Sequence, residues 1–453
     1  VASKAELASL IIDELLLGQR PDRVAEPFRP EGPFDTSPQL PAGNGRWLPF
    51  SRTGQKHIDA FAKVVVDNDP RIAKSFGKTD VAKIVGRAFG AAFAGVDNDL
   101  ERFVIDEQVF AAACDELASA LSPAQTTEDL ILGCWALTGV GTEDLRIGPV
   151  RFVDRRIWLA EMAAGGGLSA TSARRIRARW DGRSIRPRKP TSDTVWERGT
   201  IATVGDTDTV CVVVTAGMAH KVAEQKGLLA ARIALTTLAL HWETPSKALD
   251  RMGLLHDGPL YRRESIIFTG DGLVRTSTDS SGIKGHFITD EWREMRKTID
   301  WLWGPVGQAL AAYVQPSQSP VRPTVMNALF AALWWFHEAS RERSPLIAIV
   351  KYFACLDALT GGNEDAGVRD LIKARLGFNP DDPLTENGKT VKQAVREMYR
   401  ARSLTIHGTN SLLGYDWVDS RGLAESIASH CLRSCCDWIH SNPTTDDLAA
   451  LRR

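Results

Sequence analysis

Gln315-Pro316-Ser317-Gln318-Ser319-Pro320 divides this 453-residue chain into two parts with different sequence patterns. Each proline lacks an amide hydrogen and has a fixed φ, so two of them among small polar residues stop a helix or a strand ladder. Beyond the break, apolar residues recur at three- and four-residue spacing almost to the end. That spacing predicts helices over residues 324–341, 346–359, 390–406 and 423–440. Long helices in close succession can bury their apolar stripes by folding back on one another, which argues an antiparallel bundle.

The part before the break is mixed. Residues 4–17 are helical in pattern, with Leu7, Leu10, Ile11 and Leu15 on one side. Residues 20–46 hold Pro21, Pro27, Pro30, Pro33, Pro38 and Pro41 and are predicted irregular. Residues 57–137 read as helical, with Phe89, Phe93, Phe103, Val109, Phe110, Leu117 and Leu121 as core positions. Residues 145–158 alternate and contain Pro149, which suggests a short strand or edge element. The runs 195–204 and 210–215 flank Gly205-Asp206-Thr207-Asp208 and predict a hairpin. A long amphipathic helix is expected over 218–241, a second hairpin around Gly270-Asp271-Gly272, and another helix over 290–313. The predicted organisation is a helical region (1–140), an α+β region with two hairpins and long helices (141–314), and the bundle (321–453). The fold class is therefore a predominantly helical α+β N-terminal region followed by an all-α antiparallel helical bundle.

Composition excludes little. Net charge is −1, so any nucleic-acid surface has to be a local patch. The seven cysteines are odd in number and scattered, which suggests free thiols in a reducing compartment. No secretory signal is visible, and the longest apolar stretch, 227–242, is short and contains Arg232, so it reads as a buried helix. A cytoplasmic protein with no membrane partner is expected. Gly165-Gly166-Gly167 is a break without phosphate-loop spacing, and residues 1–314 show no nucleotide loop, metal-ligand spacing or nucleophile elbow.

The third bundle helix ends Tyr399-Arg400-Ala401-Arg402-Ser403-Leu404-Thr405-Ile406-His407-Gly408. Gly408 is a natural helix stop, and a histidine just before it lies near free carbonyls that favour its charged form. Arg400 and His407 share a helix face, whereas Arg402 and His407 meet more easily if the helix kinks. Histidine moves protons near neutral pH, and a planar guanidinium holds a phosphorane bidentately. An RNA 2′-hydroxyl attacking the adjacent phosphate needs both and needs no metal.

These residues resemble the HEPN family, whose helical bundles carry an Arg, four to six residues, then a His. Arg402 to His407 has four between and Arg400 to His407 has six. The wording around Tyr399 resembles the ApeA-like branch, as does Ala354-Cys355-Leu356-Asp357-Ala358-Leu359-Thr360-Gly361 on the second helix. The resemblance covers roughly residues 321–445. It implies a metal-independent endoribonuclease in anti-phage defence, acting by abortive infection, that leaves 2′,3′-cyclic phosphate ends. Catalysis would fall to Arg402 and His407, with Arg400, Ser403 and Asp357 in support. It further implies no cofactor, a homodimer through the bundle with a composite site, tRNA or other structured RNA as substrate, and a phage-derived or nucleic-acid trigger sensed by the N-terminal region. Active members often carry Asn, Asp or His where this chain has Ser403, which leaves open a non-catalytic scaffold that dimerises and binds RNA or protein. Thr409 stands where adenylylated members carry tyrosine, so that control is not expected.

Residues 174–189 concentrate arginines around Trp180, and Arg177, Arg179 and Arg186 are the expected RNA contacts. His430, Cys431, Cys435, Cys436 and His440 share one predicted helix; packing inside the bundle is favoured over a metal site, and no metal is predicted. His337 and Glu338 read as ordinary bundle residues.

Overall fold

The computed structural model describes residues 3–19, 39–43, 45–97, 100–121, 127–138, 144–258, 262–268, 274–280, 286–287, 290, 293–294, 297, 300–316, 321–408 and 417–453. The chain forms two compact units, residues 1–127 with 216–223 and residues 128–215 with 224–453. The regions expected at 141–314 and 321–453 thus share one unit, apart from residues 216–223.

The first unit contains α1 (Lys4–Gly18), a short hairpin of β1 (Gln39–Pro41) and β2 (Trp47–Pro49), α2 (Arg52–Asn68), α3 (Pro70–Ser75), α4 (Lys78–Ala94) and α5 (Arg102–Ala120). A capping box between Ser3 and Glu6 starts α1. Its buried side carries Leu7, Ile11, Ile12 and Leu15, while Leu10 faces out. Phe89, Phe93, Val109, Leu117 and Leu121 lie in the core as expected. Phe103 is 74% exposed, because α5 buries the period set by Ile105, Val109, Ala113 and Leu117. The Pro-rich segment at 20–38 lies outside the described residues.

The second unit opens with β3 (Glu128–Trp135), which corrects the expectation of helix to residue 137. Its continuous apolar run has no period to separate strand from helix. After β4 (Leu137–Thr138), the hairpin β5 (Leu145–Ile147) and β6 (Val150–Asp154) turns at Gly148, whose φ is +57°. Next come α6 (Arg155–Ala164), α7 (Ala170–Trp180), α8 (Ser192–Val204) and β7 (Thr209–Thr215). The five-stranded sheet runs β5-β6-β7-β3-β8, every neighbour antiparallel, with β8 at Gly253–Leu254. Residues 195–204 are helical, so the first predicted hairpin is corrected. Thr191 and Thr194 form a capping box there, and Glu197 and Val204 turn inward one above another. These contacts outweigh the β-branched residues that mimic a strand. Val153, Trp158, Leu159, Ile176, Val204, Val210 and Val212 form the core where α6, α7 and α8 cover the sheet.

The long α9 (His220–Ala239) and the short α10 (Pro245–Leu249) follow. The second hairpin is present as β9 (Arg262–Phe268) and β10 (Val274–Ser280); its Gly270-Asp271-Gly272 turn lies outside the described residues. β11 (His286–Phe287) pairs with β4 in parallel. Of the helix expected over 290–313, α11 (Trp303–Val314) is described. Gly307 of α11 meets Gly148 so closely that a Cβ on Gly148 would stand 2.4 Å from the Gly307 carbonyl oxygen.

The four predicted bundle helices are present as α12 (Pro323–Arg341), α13 (Pro345–Thr360), α15 (Val391–Ile406) and α16 (Val418–Ser441). A fifth, α14 (Glu364–Leu376), was not anticipated. Leu329, Leu333, Phe336, Ile349, Tyr352 and Phe353 are buried where α12 packs on α13, each contributing roughly 1.5–3 kcal/mol. Polar contacts also join the bundle to the preceding helices. Arg433 of α16 donates to the Leu240 and Trp242 carbonyls beyond α9, at 2.8 and 2.7 Å. The buried Glu425 carboxylate accepts from the Ser246 amide and hydroxyl on α10, at 2.7 and 2.8 Å. Among the described residues no single helix is long and apolar enough to cross a membrane.

Candidate functional site

The motif sits at the end of α15. Thr390 and Gln393 form a capping box at its start, and Val391, Ala394, Val395, Met398 and Ala401 face the bundle core. That phase leaves Arg402 half-buried at the core's edge and Arg400 exposed. His407 is the C-cap in αR geometry, its amide donating to the Ser403 carbonyl at 3.1 Å. Gly408 follows with φ +68°, the left-handed residue that ends the helix. The helix therefore continues without a kink to His407. Five residues of regular helix place Arg402 and His407 ~140° apart, while Arg400 and His407 are ~20° apart. His407 is exposed, as is Ile406 beside it at 59%. Thr409 lies outside the described residues.

Arg402 lines an open groove of about 490 Å³ together with Asn327 and Trp335 of α12 and Asp357 of α13. Ala331, Ala354, Ala358, Gly361 and Leu448 complete its lining. Among the described residues the Arg402 guanidinium forms no hydrogen bond or ion pair. Asp357 shares the groove but pairs with neither Arg402 nor His407. Its Oδ1 accepts from the Glu364 amide at 3.1 Å and the Thr360 hydroxyl at 3.5 Å, so one carboxylate oxygen fixes the turn into α14. Glu364 has φ +52°, the one non-glycine residue with positive φ among those described, at a cost of about 1–3 kcal/mol. The Glu364 charge raises the Tyr399 phenol above its usual pKa, with the Arg402 charge acting the other way. The structure thus brings Arg402, Asp357 and Trp335 to one groove and leaves His407 and Arg400 outside it. The half-buried Ser403 contributes its carbonyl to the helix end.

The basic stretch is built on a buried acid. Glu197, 4% exposed, accepts both of its carboxylate oxygens' bonds from Arg175 Nε (2.9 and 3.0 Å), and Arg188 lies 3.6 Å away. Arg175 also donates to the Arg186 carbonyl at 2.7 Å, which ties down the loop before α8. Arg177, Arg179 and Arg186 are exposed, with no side-chain partner among the described residues. Trp180 is not an open stacking surface, since it packs into the α6–α8 core under the Arg155 guanidinium, 5.1 Å from its ring centroid. The exposed indole is Trp196 on α8, at 66%. Reading that segment as a strand concealed it.

Cys431, Cys435 and Cys436 are buried in the bundle, where burial pushes the Cys435 thiol up to about 12 and the other two well above the usual value. His430 Nδ1 lies 2.7 Å from the Ser426 carbonyl. His337 is buried with Nδ1 2.8 Å from the Thr236 hydroxyl. Burial first, then the Arg341 charge, lowers its pKa to about 3. Sequence reasoning also missed a cavity of about 910 Å³ in the first unit, lined by α2 and α4 with Lys63, Lys78, Lys83 and Trp47. Nothing in the local pattern of those helices marks it, because it depends on how they pack. No family model, curated protein or solved structure matches the chain.

Proposed function

We infer that the chain is a HEPN-type, metal-independent endoribonuclease acting in anti-phage defence, with Arg402 and His407 as its catalytic pair. The observation that carries this reading is the Arg402 guanidinium lining a groove with no hydrogen-bond or ion-pair partner among the described residues, on a helix whose exposed polar end is His407. A phosphate entering the groove meets a planar cation with free donors, which suits bidentate capture. His407, exposed at the end of the same helix, would be the group that moves the proton. RNA contacts at Arg177, Arg179 and Arg186 would add non-specific affinity. Because Arg402 and His407 of one chain point apart, joint action on one phosphate calls for a second copy, and the reading includes a homodimer. Exposed Trp334 and Ile406 give the bundle apolar surface suited to one.

The test is direct. Purified protein incubated with total RNA in EDTA is expected to yield fragments with 2′,3′-cyclic or 3′-phosphate ends and free 5′-hydroxyls. Cutting that needs Mg²⁺ and leaves 5′-phosphates would refute the mechanism. One observation favours a second reading, a non-catalytic dimerising and RNA- or protein-binding scaffold: among the described residues, His407 does not line the Arg402 groove. RNA binding without any cleavage would select it.

A further inference from the structure

We propose that the Arg402 groove is a single-nucleotide pocket, taking one base against Trp335 and the attached phosphate at Arg402. This rests on the reading of the chain as an RNA-binding protein and names what the groove recognises.

Three features of the groove point the same way. The Trp335 indole is backed by Trp334, the two rings stacked with centroids 4.9 Å apart at 30°. A ring already held by another ring loses little freedom when a base is added to the stack. Ala331, Ala354 and Ala358 add only methyl groups to the lining, and Leu448 closes the groove beside Gly361 as an apolar wall, so a flat ring can lie between them. Polar groups line the same groove. Arg402 supplies a cation unpaired among the described residues, Asn327 an exposed amide, and Asp357 its second oxygen, since Oδ1 is the one that accepts in the turn. The volume of about 490 Å³ falls within the ~300–1,000 Å³ typical of small-ligand sites.

The polar edge also selects among bases. A carboxylate only accepts, so the base edge facing Asp357 must donate. Guanine offers N1–H and an amino group side by side, and adenine and cytosine offer an amino group. Uracil flanks its one N–H with two carbonyls that the carboxylate repels. The pocket therefore prefers an amino-bearing base, guanine above all, over uracil.

The experiment is calorimetric titration of the full chain carrying His407→Ala with guanosine 5′-monophosphate, uridine 5′-monophosphate and inorganic phosphate. Guanosine monophosphate is expected to bind more tightly than either of the others. Trp335→Leu should weaken it at least about tenfold, the loss of one stacked base, while leaving phosphate binding unchanged. Arg402→Ala should weaken both. Should Trp335→Leu not fold, Ala331→Gln fills the groove and should give the same selective loss. Equal affinities for guanosine monophosphate and phosphate, or no effect of either variant, would overturn the proposal. Its failure is separable from failure of the ribonuclease reading. Nucleotide binding without cleavage of RNA by the unmodified chain removes the enzyme and keeps the pocket. Cleavage with no base preference, unaffected by Trp335→Leu, keeps the enzyme and removes the pocket.

Discussion

Replacing Arg402 by lysine separates charge from shape. Lysine keeps the cation but loses the planar fork, so cleavage is expected to fall roughly 100-fold if the phosphate is held bidentately. His407→Ala should remove ~100-fold to 10,000-fold, to below detection, with the bundle still folded, as circular dichroism would verify. Arg400→Ala should cost less, because that side chain is exposed and outside the groove. A pH effect belongs to His337. Its folded pKa, about 3, lies below the ordinary 6.5, so unfolding takes up a proton whenever the pH falls between the two. The contribution of the neutral, buried ring is complete above 6.5 and declines on acidification, by ~1.4 kcal/mol per pH unit. Denaturant titrations at about pH 7 and pH 5 should show the wild type losing about 2 kcal/mol more than His337→Gln. An identical pH response in both proteins would exclude His337 as the cause. At this scale the sequence disclosed the motif residues by type and spacing. It did not disclose Trp335 or Asn327 as companions of Arg402, because they lie some seventy residues earlier on another helix and become neighbours only by packing.

Elements that announce their own ends were legible. Pro323, Pro345, Thr390 and Gly408 mark bundle helices at the positions where the structure starts or stops them. Elements decided by packing were not. β3 reads like a buried helix, and α8, rich in β-branched residues, reads like a strand until Glu197 finds Arg175 and Arg188. The α7–α8 element then carries a prediction. Charge reversal at Arg177, Arg179 and Arg186 should weaken RNA binding and lower the slope of log affinity against log salt by about 2. An unchanged slope in a filter-binding series would mean that these arginines are only solvated. Trp196→Ala, with its ring so exposed, should leave stability nearly unaltered; a loss of RNA affinity in that variant would identify it as the stacking partner in place of Trp180.

For the molecule as a whole, the divergence of Arg402 and His407 around α15 makes oligomerisation testable by activity. Mixing inactive Arg402→Ala with inactive His407→Ala is expected to restore cutting, because the composite site of the mixed dimer holds an intact arginine from one copy and an intact histidine from the other. No recovery from a mixture shown to exchange subunits would exclude that arrangement. Light scattering should be done on the full chain. The break at 315–320 looked like a domain boundary in sequence, yet the structure puts both sides in one unit. Arg433 and Glu425 show what the linker signal could not, since they complete helix ends 193 and 179 residues earlier. That bonding has a consequence for how the protein breathes. A helix end whose carbonyls are held by a guanidinium from the last helix cannot fray alone. Amide protons near the end of α9 and those of α16 should therefore exchange with deuterium at one common rate, as a single opening event.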